Sequence, residues 1–257
     1  MKHARLLLFG VAVFALTVLL HAPVDRVYGW FAPALMQSPV QLYGLDGTVS
    51  AGSAASVQVR NQPALNDLAW TLRPLHLLLG RASFHLNGGS RGTLLDGKVA
   101  LVPSGTMTLS DLRFSTPVAA LAALAGQANL PLQGQAGLQI ETLRLRKQWP
   151  DRAQATATVR GLGWKLGRDP VVLGDYQALI ESETAGIKAT FSTLAGALDV
   201  TGEAQLGHDR RYALHLQMKP KPDAPPLVGN LVRNLGQPDA QGWYHLRRQG
   251  SAAGTTP

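Results

Sequence analysis

The sequence predicts a mainly β protein: an N-terminal transmembrane helix, then a long curved antiparallel sheet built as a meander of hairpins with one or two short helices. Three observations predict it. A single long apolar run stands at the N-terminus. Period-two alternation of apolar and polar side chains recurs through the rest of the chain. Gly and Pro interrupt that alternation at strand-length intervals.

Lys2, His3 and Arg5 precede an apolar run from Leu6 to Leu20, and His21 and Asp25 follow it. A spanning helix needs about 20 residues, with a range of roughly 17–25. Residues 6–24 meet that length and are read as a transmembrane anchor. A cleaved signal peptide would end at a small-x-small site. His21, Ala22, Pro23 and Val24 offer none, and the chain then turns bulky at Tyr28, Trp30 and Phe31. Positive charge ahead of the run puts residues 1–5 in the cytoplasm and the remainder across the membrane. The expected protein is therefore single-pass in the cell inner membrane, with residues 25–248 in the periplasm. Tyr28, Trp30 and Phe31 stand where an interfacial aromatic belt forms.

Alternation defines the strands. Val99 and Leu101 share one face of a segment beginning at Thr93, and Met107 and Leu109 share one face of the next. Pro103, Ser104 and Gly105 make the turn between them. These four apolar residues form a stripe that either packs as core or lines a groove. Leu138 and Ile140 are out of phase with Leu143 and Leu145, so a bulge is expected near Glu141 and Thr142. Further strands are read at 153–160, 176–181, 187–194, 197–206 and 212–218, with Gly186 and Gly196 at joints.

Two helices are expected. Pro117 to Ala125 follows Thr116, read as its N-cap, and closes at Gly126. Pro226 to Leu235 closes at Gly236 in the same way. Residues 40–126 and 130–248 each hold a hairpin series and one short helix, which suggests two similar halves. The small polar tail 249–257 is expected to be disordered.

The formal charge is +8, but the basic residues are mostly spread singly. The clearest cluster is Arg144, Arg146 and Lys147, in which Arg144 and Arg146 share a strand face. No zinc-finger, RRM or helix-turn-helix pattern supports nucleic-acid binding. The chain has no Cys, which excludes disulfides, thiolate metal sites and Cys nucleophiles.

No catalytic constellation stands out. No His pair has HExxH spacing, no Gly-x-Ser-x-Gly elbow occurs, and Gly88, Gly89 and Gly92 lack the Gly-Lys-Ser/Thr ending of a phosphate loop. His76 and His85 fall in apolar, strand-like sequence. Glu181 and Glu183 are the nearest thing to a carboxylate pair, and their setting before Thr184 and Gly186 reads as a hairpin end. No catalytic residue, cofactor or metal site is assigned, and the chain is read as a non-enzyme.

An ordered series of short motifs runs from the N-terminal part to near the C-terminus. Gly47, Thr48 and Gly52 come first. Trp70, Leu72 and Pro74 follow, then Leu79 and Gly80. Next come Asp111, Leu112, Pro117 and Leu121, then Leu130, Pro131 and Gly134, then Leu173, Gly174, Asp175 and Tyr176. Leu231, Leu235, Gly236, Pro238, Asp239, Gly242 and Tyr244 close the series. In this order the motifs resemble the family of type II secretion system protein N, also called general secretion pathway protein N (GspN). Ser50 departs from it, standing where family members carry Trp. The resemblance implies a non-catalytic inner-membrane component that supports export of folded proteins from the periplasm across the outer membrane. It implies other subunits of the secretion platform as partners, with membrane lipid around the anchor. The motif residues themselves read as fold-making: Trp70 and Leu72 fill one sheet face, Pro74 interrupts the ladder, and Gly236 and Pro238 stop a helix.

A second function class fits the same pattern. A long sheet with one apolar face can cradle acyl chains, as AsmA-like periplasmic lipid-transfer proteins do, and the stripe of Val99, Leu101, Met107 and Leu109 would then line the groove.

Overall fold

The computed structural model describes residues 10, 14, 17, 18, 20–35, 40–59, 62–77, 79–89, 92–147, 149–165 and 170–251. A helix, α1 (Val24–Leu35), precedes three strands: β1 (Val40–Gly47), β2 (Ala51–Val59) and β3 (Gln62–Leu72). A single turn, α2 (Pro74–Leu77), leads to β4 (Ala82–Gly88), β5 (Leu94–Leu101) and β6 (Thr106–Pro117). After α3 (Val118–Leu124) come β7 (Leu132–Arg146), β8 (Trp149–Trp164), β9 (Val171–Glu183) and β10 (Gly186–Gly196). The chain ends with β11 (Leu198–Gly207), β12 (Arg211–Pro220), α4 (Pro226–Arg233) and β13 (Tyr244–Ser251).

Among the described residues, 13 strands form one sheet in strict sequence order, β1 to β13. Every neighbouring pair is antiparallel. The meander read from the alternation is therefore the architecture. Successive links alternate between two edges of the sheet. One edge carries the β1–β2 turn, α2 and the β5–β6, β7–β8, β9–β10 and β11–β12 turns. The other carries α3 and α4.

The apolar run 6–24 lies largely outside the described residues. Gly10, Phe14, Thr17, Val18 and Leu20 are helical, and Phe14 and Val18 are 70% and 53% exposed. Among the described residues no helix is long and apolar enough to cross a membrane. Tyr28, Trp30 and Phe31 fall in α1, a helix the alternation does not announce; Asp25 in its first turn complements the helix dipole. The N-terminal segment is tied to the first hairpin by backbone hydrogen bonds. Ser50 N–H donates to Leu20 O (3.0 Å) and Val49 N–H to Ala22 O (3.2 Å), and Pro23 bridges Thr48.

The expected slip near Glu141 is present: the β7–β8 register shifts between Ile140 and Thr142. It has a partner in β6. The β5–β6 register shifts between Asp96 and Lys98, and Asp111 takes a φ of 51°. This pair of bulges resets the phase. Met107 and Leu109 before it, and Leu112 and Phe114 after it, thereby reach the same face. Gly97 makes this possible, because a Cβ there would lie 2.7 Å from Leu112 Cβ. Leu112, Ile140, Ala155 and Ile180 follow one another across four strands. The first three are the buried centre of one core cluster, with Leu95, Leu109, Phe114, Leu138 and Leu143 packed round it.

A second cluster sits under α4. Val228 and Val232 are 0% and 3% exposed and pack on Leu173 and Leu198. Burying a Val in this way stabilises by roughly 1.5–3 kcal/mol, so α4 is held by its packing and not by a cap. It ends at Arg233 with Asn234 as the C-cap, two residues before the expected Leu235, and Gly236 N–H then donates to Arg233 O.

Four local expectations change. Thr116 does not cap α3; Pro117 holds that position without a side-chain cap. Thr116 ends β6 facing inward, where its hydroxyl meets that of Thr93 at 2.9 Å, because β6 extends through Pro117 and carries the residue into the sheet. His76 lies in α2 and not in a strand, since Pro74 starts a helical turn. For the same reason Pro74 follows the β3 ladder instead of interrupting it. Gln249, Gly250 and Ser251 are not tail: they pair with Ala213, Tyr212 and Arg211 in β13. Gly250 leaves room there for the Tyr212 ring, whose hydroxyl would be 2.6 Å from a Cβ. Residues 252–257 lie outside the described residues.

Candidate functional site

The motif residues are spread along the sheet and do not converge on one point. Gly47 ends β1 with φ 86°, and Thr48 turns the chain, its Oγ1 accepting from Ala51 N–H (3.1 Å). Gly52 lies beneath Trp70. The Trp70 indole N–H donates to Val49 O (3.2 Å), and Leu72 N–H donates to Ser50 O (2.6 Å). This first hairpin is thus a junction for the N-terminal segment, β1, β2 and β3. Pro74 opens α2, and Gly80 closes it with φ 71°.

The closing motif forms a second junction, centred on Asp239. Its carboxylate accepts from the N–H groups of Gln241 (2.9 Å) and Trp243 (2.9 Å) and pairs with His245 Nε2 at 2.8 Å. The His245 hydrogen bond, and then that of Trp243, hold the Asp239 carboxyl below the usual carboxylate range. Pro238 precedes this hub, Gly242 (φ 85°) lets the loop turn, and Tyr244 enters β13 against the α4 cluster. His245 Nδ1 lies 3.4 Å from His215 Nε2, with the rings stacked. Sequence spacing does not reveal this Asp239–His245–His215 chain. The two His come together only as diagonal neighbours in the β12–β13 register. The chain pins a loop; among the described residues no group of three His, Asp or Glu side chains could hold a metal ion.

The four residues of the stripe are cross-strand neighbours. Val99 faces Leu109 and Leu101 faces Met107 across the β5–β6 ladder. Leu109 joins the core, while Leu101 remains 44% exposed. An apolar cleft lies farther along, over β8 to β12. It has a volume of about 350 Å³ and is lined by Val159, Leu162, Ala178, Phe191, Val200 and Met218, among others. Tyr176 also lines it, with its hydroxyl 3.1 Å from the carbonyls of Leu173 and Leu198. Burial, and then the nearby Asp199 and Asp175 charges, push the Tyr176 phenol up to about 12. The strands that build this cleft were read from the sequence. The hollow was not, because it depends on side-chain size in five strands at once.

A second cavity, of about 340 Å³, differs in chemistry. Arg73, His76 and Arg81 from the α2 link meet Ser83, Lys98 and Ser110 there. Lys98 is paired with Asp111 at 2.7 Å, and that contact holds the Asp111 carboxyl below its ordinary range. Glu181 and Glu183 form no acid–base pair. Glu183 ends β9, where Lys188 reaches it at 4.0 Å and Glu203 at 3.0 Å, as expected of a hairpin end. Arg144 and Arg146 share a face and converge on Asp151.

Comparison with known proteins places the chain in a family. The family model described as "Type II secretion system (T2SS), protein N" matches residues 38–247. The type II secretion system protein N of Vibrio cholerae serotype O1 is 28% identical over 253 residues, 95% of this chain and 96% of the relative. That of Aeromonas hydrophila is 27% identical over 214 residues, 82% of this chain and 84% of the relative. No solved structure matches the chain. The matched span begins just ahead of β1 and ends inside β13, taking in the whole meander, and the chain belongs to the type II secretion system protein N family.

Proposed function

We propose that this chain is a non-catalytic component of the type II secretion system, anchored in the inner membrane by residues 6–24 and carrying its sheet, residues 25–248, in the periplasm. It would serve there by contact with the other subunits of the inner-membrane platform and support export of folded proteins. One observation carries the reading: the family match spans the sheet from end to end, and the motif residues within it hold hairpins and helix ends together instead of lining a reactive cleft. Lys2 and Arg5 ahead of the apolar run, and the exposed helical positions Phe14 and Val18, support the anchor. The end strands β1 and β13 offer edges to which a partner strand could be added. Co-purification of platform subunits with the full-length chain from detergent-solubilised membranes tests the assignment. Full secretion by cells lacking the chain would reject it.

A second reading is favoured by the apolar cleft. Its lining is almost wholly aliphatic and aromatic, with Gln177, Ser192 and the Tyr176 hydroxyl the polar exceptions, and α4 closes one end of the same face. An acyl chain fits that chemistry, which would make the protein a lipid carrier of AsmA-like type. Native mass spectrometry of the protein purified without added lipid decides the matter: a bound phospholipid mass supports the carrier, and a bare protein mass removes it.

A further inference from the structure

The edge of the sheet that receives the N-terminal segment also carries an exposed cluster of Arg and Leu side chains. Leu20 and Ala22 are hydrogen-bonded to the β1–β2 turn, and the same Ser50 that holds Leu20 accepts from Leu72 N–H. Two residues later the chain enters α2. Leu75 and Leu79 there are 74% and 68% exposed. Arg73 and Arg81 flank them, both exposed. Neither guanidinium is ion-paired with a carboxylate among the described residues. Lys98, the other cation of the cavity they line, is already neutralised by Asp111. His76 Nδ1 is buried in this link and has no hydrogen-bond partner. Farther along the same edge, Lys147 occupies the β7–β8 turn, exposed and with φ 49°.

Exposed leucines between unpaired arginines fit the interfacial zone of a bilayer. The apolar tips enter the acyl boundary while the guanidinium groups meet lipid phosphates. We infer that the α2 link, through Arg73, Leu75, Leu79 and Arg81, docks on the anionic headgroup surface of the same membrane that holds residues 6–24, and so stands the sheet on that edge. The inference rests on the proposed anchor. It fixes which end of each strand faces the lipid. The α3 and α4 edge would then be about 50 Å away, the length of a 15-residue strand such as β7.

The chain has no Cys, so single labels report unambiguously. The full-length protein is reconstituted into vesicles of phosphatidylcholine with or without phosphatidylglycerol. A fluorophore is placed at Leu79→Cys, or at Leu121→Cys on the far edge, where the native side chain is also exposed. Brominated lipid should quench the Leu79 label and leave the Leu121 label unchanged. Quenching should be stronger with phosphatidylglycerol. R73Q and R81Q should each weaken the docked state about fivefold, and R73Q/R81Q should unfold at the temperature of the parent, since both side chains are exposed. Flotation separates the two levels of the argument. Protein that floats with the vesicles after alkaline extraction, with a Leu79 label no more quenched than the Leu121 label, overturns the docking and leaves the anchor standing. Protein that alkaline extraction releases overturns both.

Discussion

Gly52 and Trp70 are opposite each other in the β2–β3 ladder, and the indole lies where a Gly52 side chain would be: a Cβ there would come within 2.6 Å of Trp70 Cζ2. The ring in turn reaches past Gly52 to donate to Val49 O. One glycine thereby lets one indole lock the hairpin that receives the N-terminal segment.

Gly52→Val should therefore destabilise by about 1–3 kcal/mol, the range for forced overpacking, because Asp46 O and Thr48 O also stand 2.8 Å from the added carbon. Thermal unfolding in detergent measures it. An unchanged midpoint would show that the indole moves aside at no cost.

Thr93 and Thr116 share one hydroxyl–hydroxyl hydrogen bond inside the sheet, with Thr116 2% exposed. Thr93→Val or Thr116→Val alone leaves a buried hydroxyl unpaired and should cost about 1–3 kcal/mol. The double variant should recover most of that loss. A double-mutant cycle on denaturant midpoints reads the coupling, and additive losses would contradict a paired hydroxyl.

Acid should loosen the closing loop through Asp239. Its folded pKa is lowered, mainly by His245, so the charged form favours the fold. That stabilisation is complete above the unfolded aspartate value of about 3.9 and is lost as pH falls through the lower folded value. Asp239→Asn should thus lose stability at neutral pH and show a flatter decline below pH ~4. Parallel pH profiles for parent and variant would remove Asp239 from the account.

Tyr176 predicts a change at the alkaline end. With its folded pKa raised to about 12, the neutral phenol favours the fold. Its contribution is intact below the unfolded value of about 10 and is lost as pH climbs towards the folded value. Ultraviolet titration should show a late-ionising tyrosine that is absent in Tyr176→Phe. The same variant should cost about 0.5–1.5 kcal/mol for the lost hydrogen bond.

Much of the sheet was legible because alternation is a local signal. Leu214, Leu216 and Met218 reveal a strand without any knowledge of their neighbours, and the phase error between Ile140 and Leu143 located a bulge. The matching bulge at Asp111 leaves the same cue, a three-residue step from Leu109 to Leu112 in the apolar alternation, but an alternation followed only as far as Ser110 stops short of it, and the positive φ that completes the bulge is a backbone feature no residue type announces. The role of Thr116 was misread for a related reason. A Thr before Pro suits a cap and a strand end equally, and the choice was made by Thr93, 23 residues away. The stacking of His215 on His245, the α2 cavity and the apolar cleft were illegible alike, since each depends on register across strands, whereas the Asp239 turn to Gln241, Trp243 and His245 lies within one segment.

Each strand of this sheet bonds only to the strands beside it in the sequence. A chain delivered from its N-terminus can accordingly close each hairpin as soon as the second arm arrives, without any segment waiting for a distant mate. Each loop to be closed spans no more than two adjoining strands and their link, which limits the closure entropy at every step. The growing rim is always a single strand wide, and the last arm to arrive, β13, brings Arg247 and Arg248 to the final border, where charge discourages an unrelated strand from adding itself next.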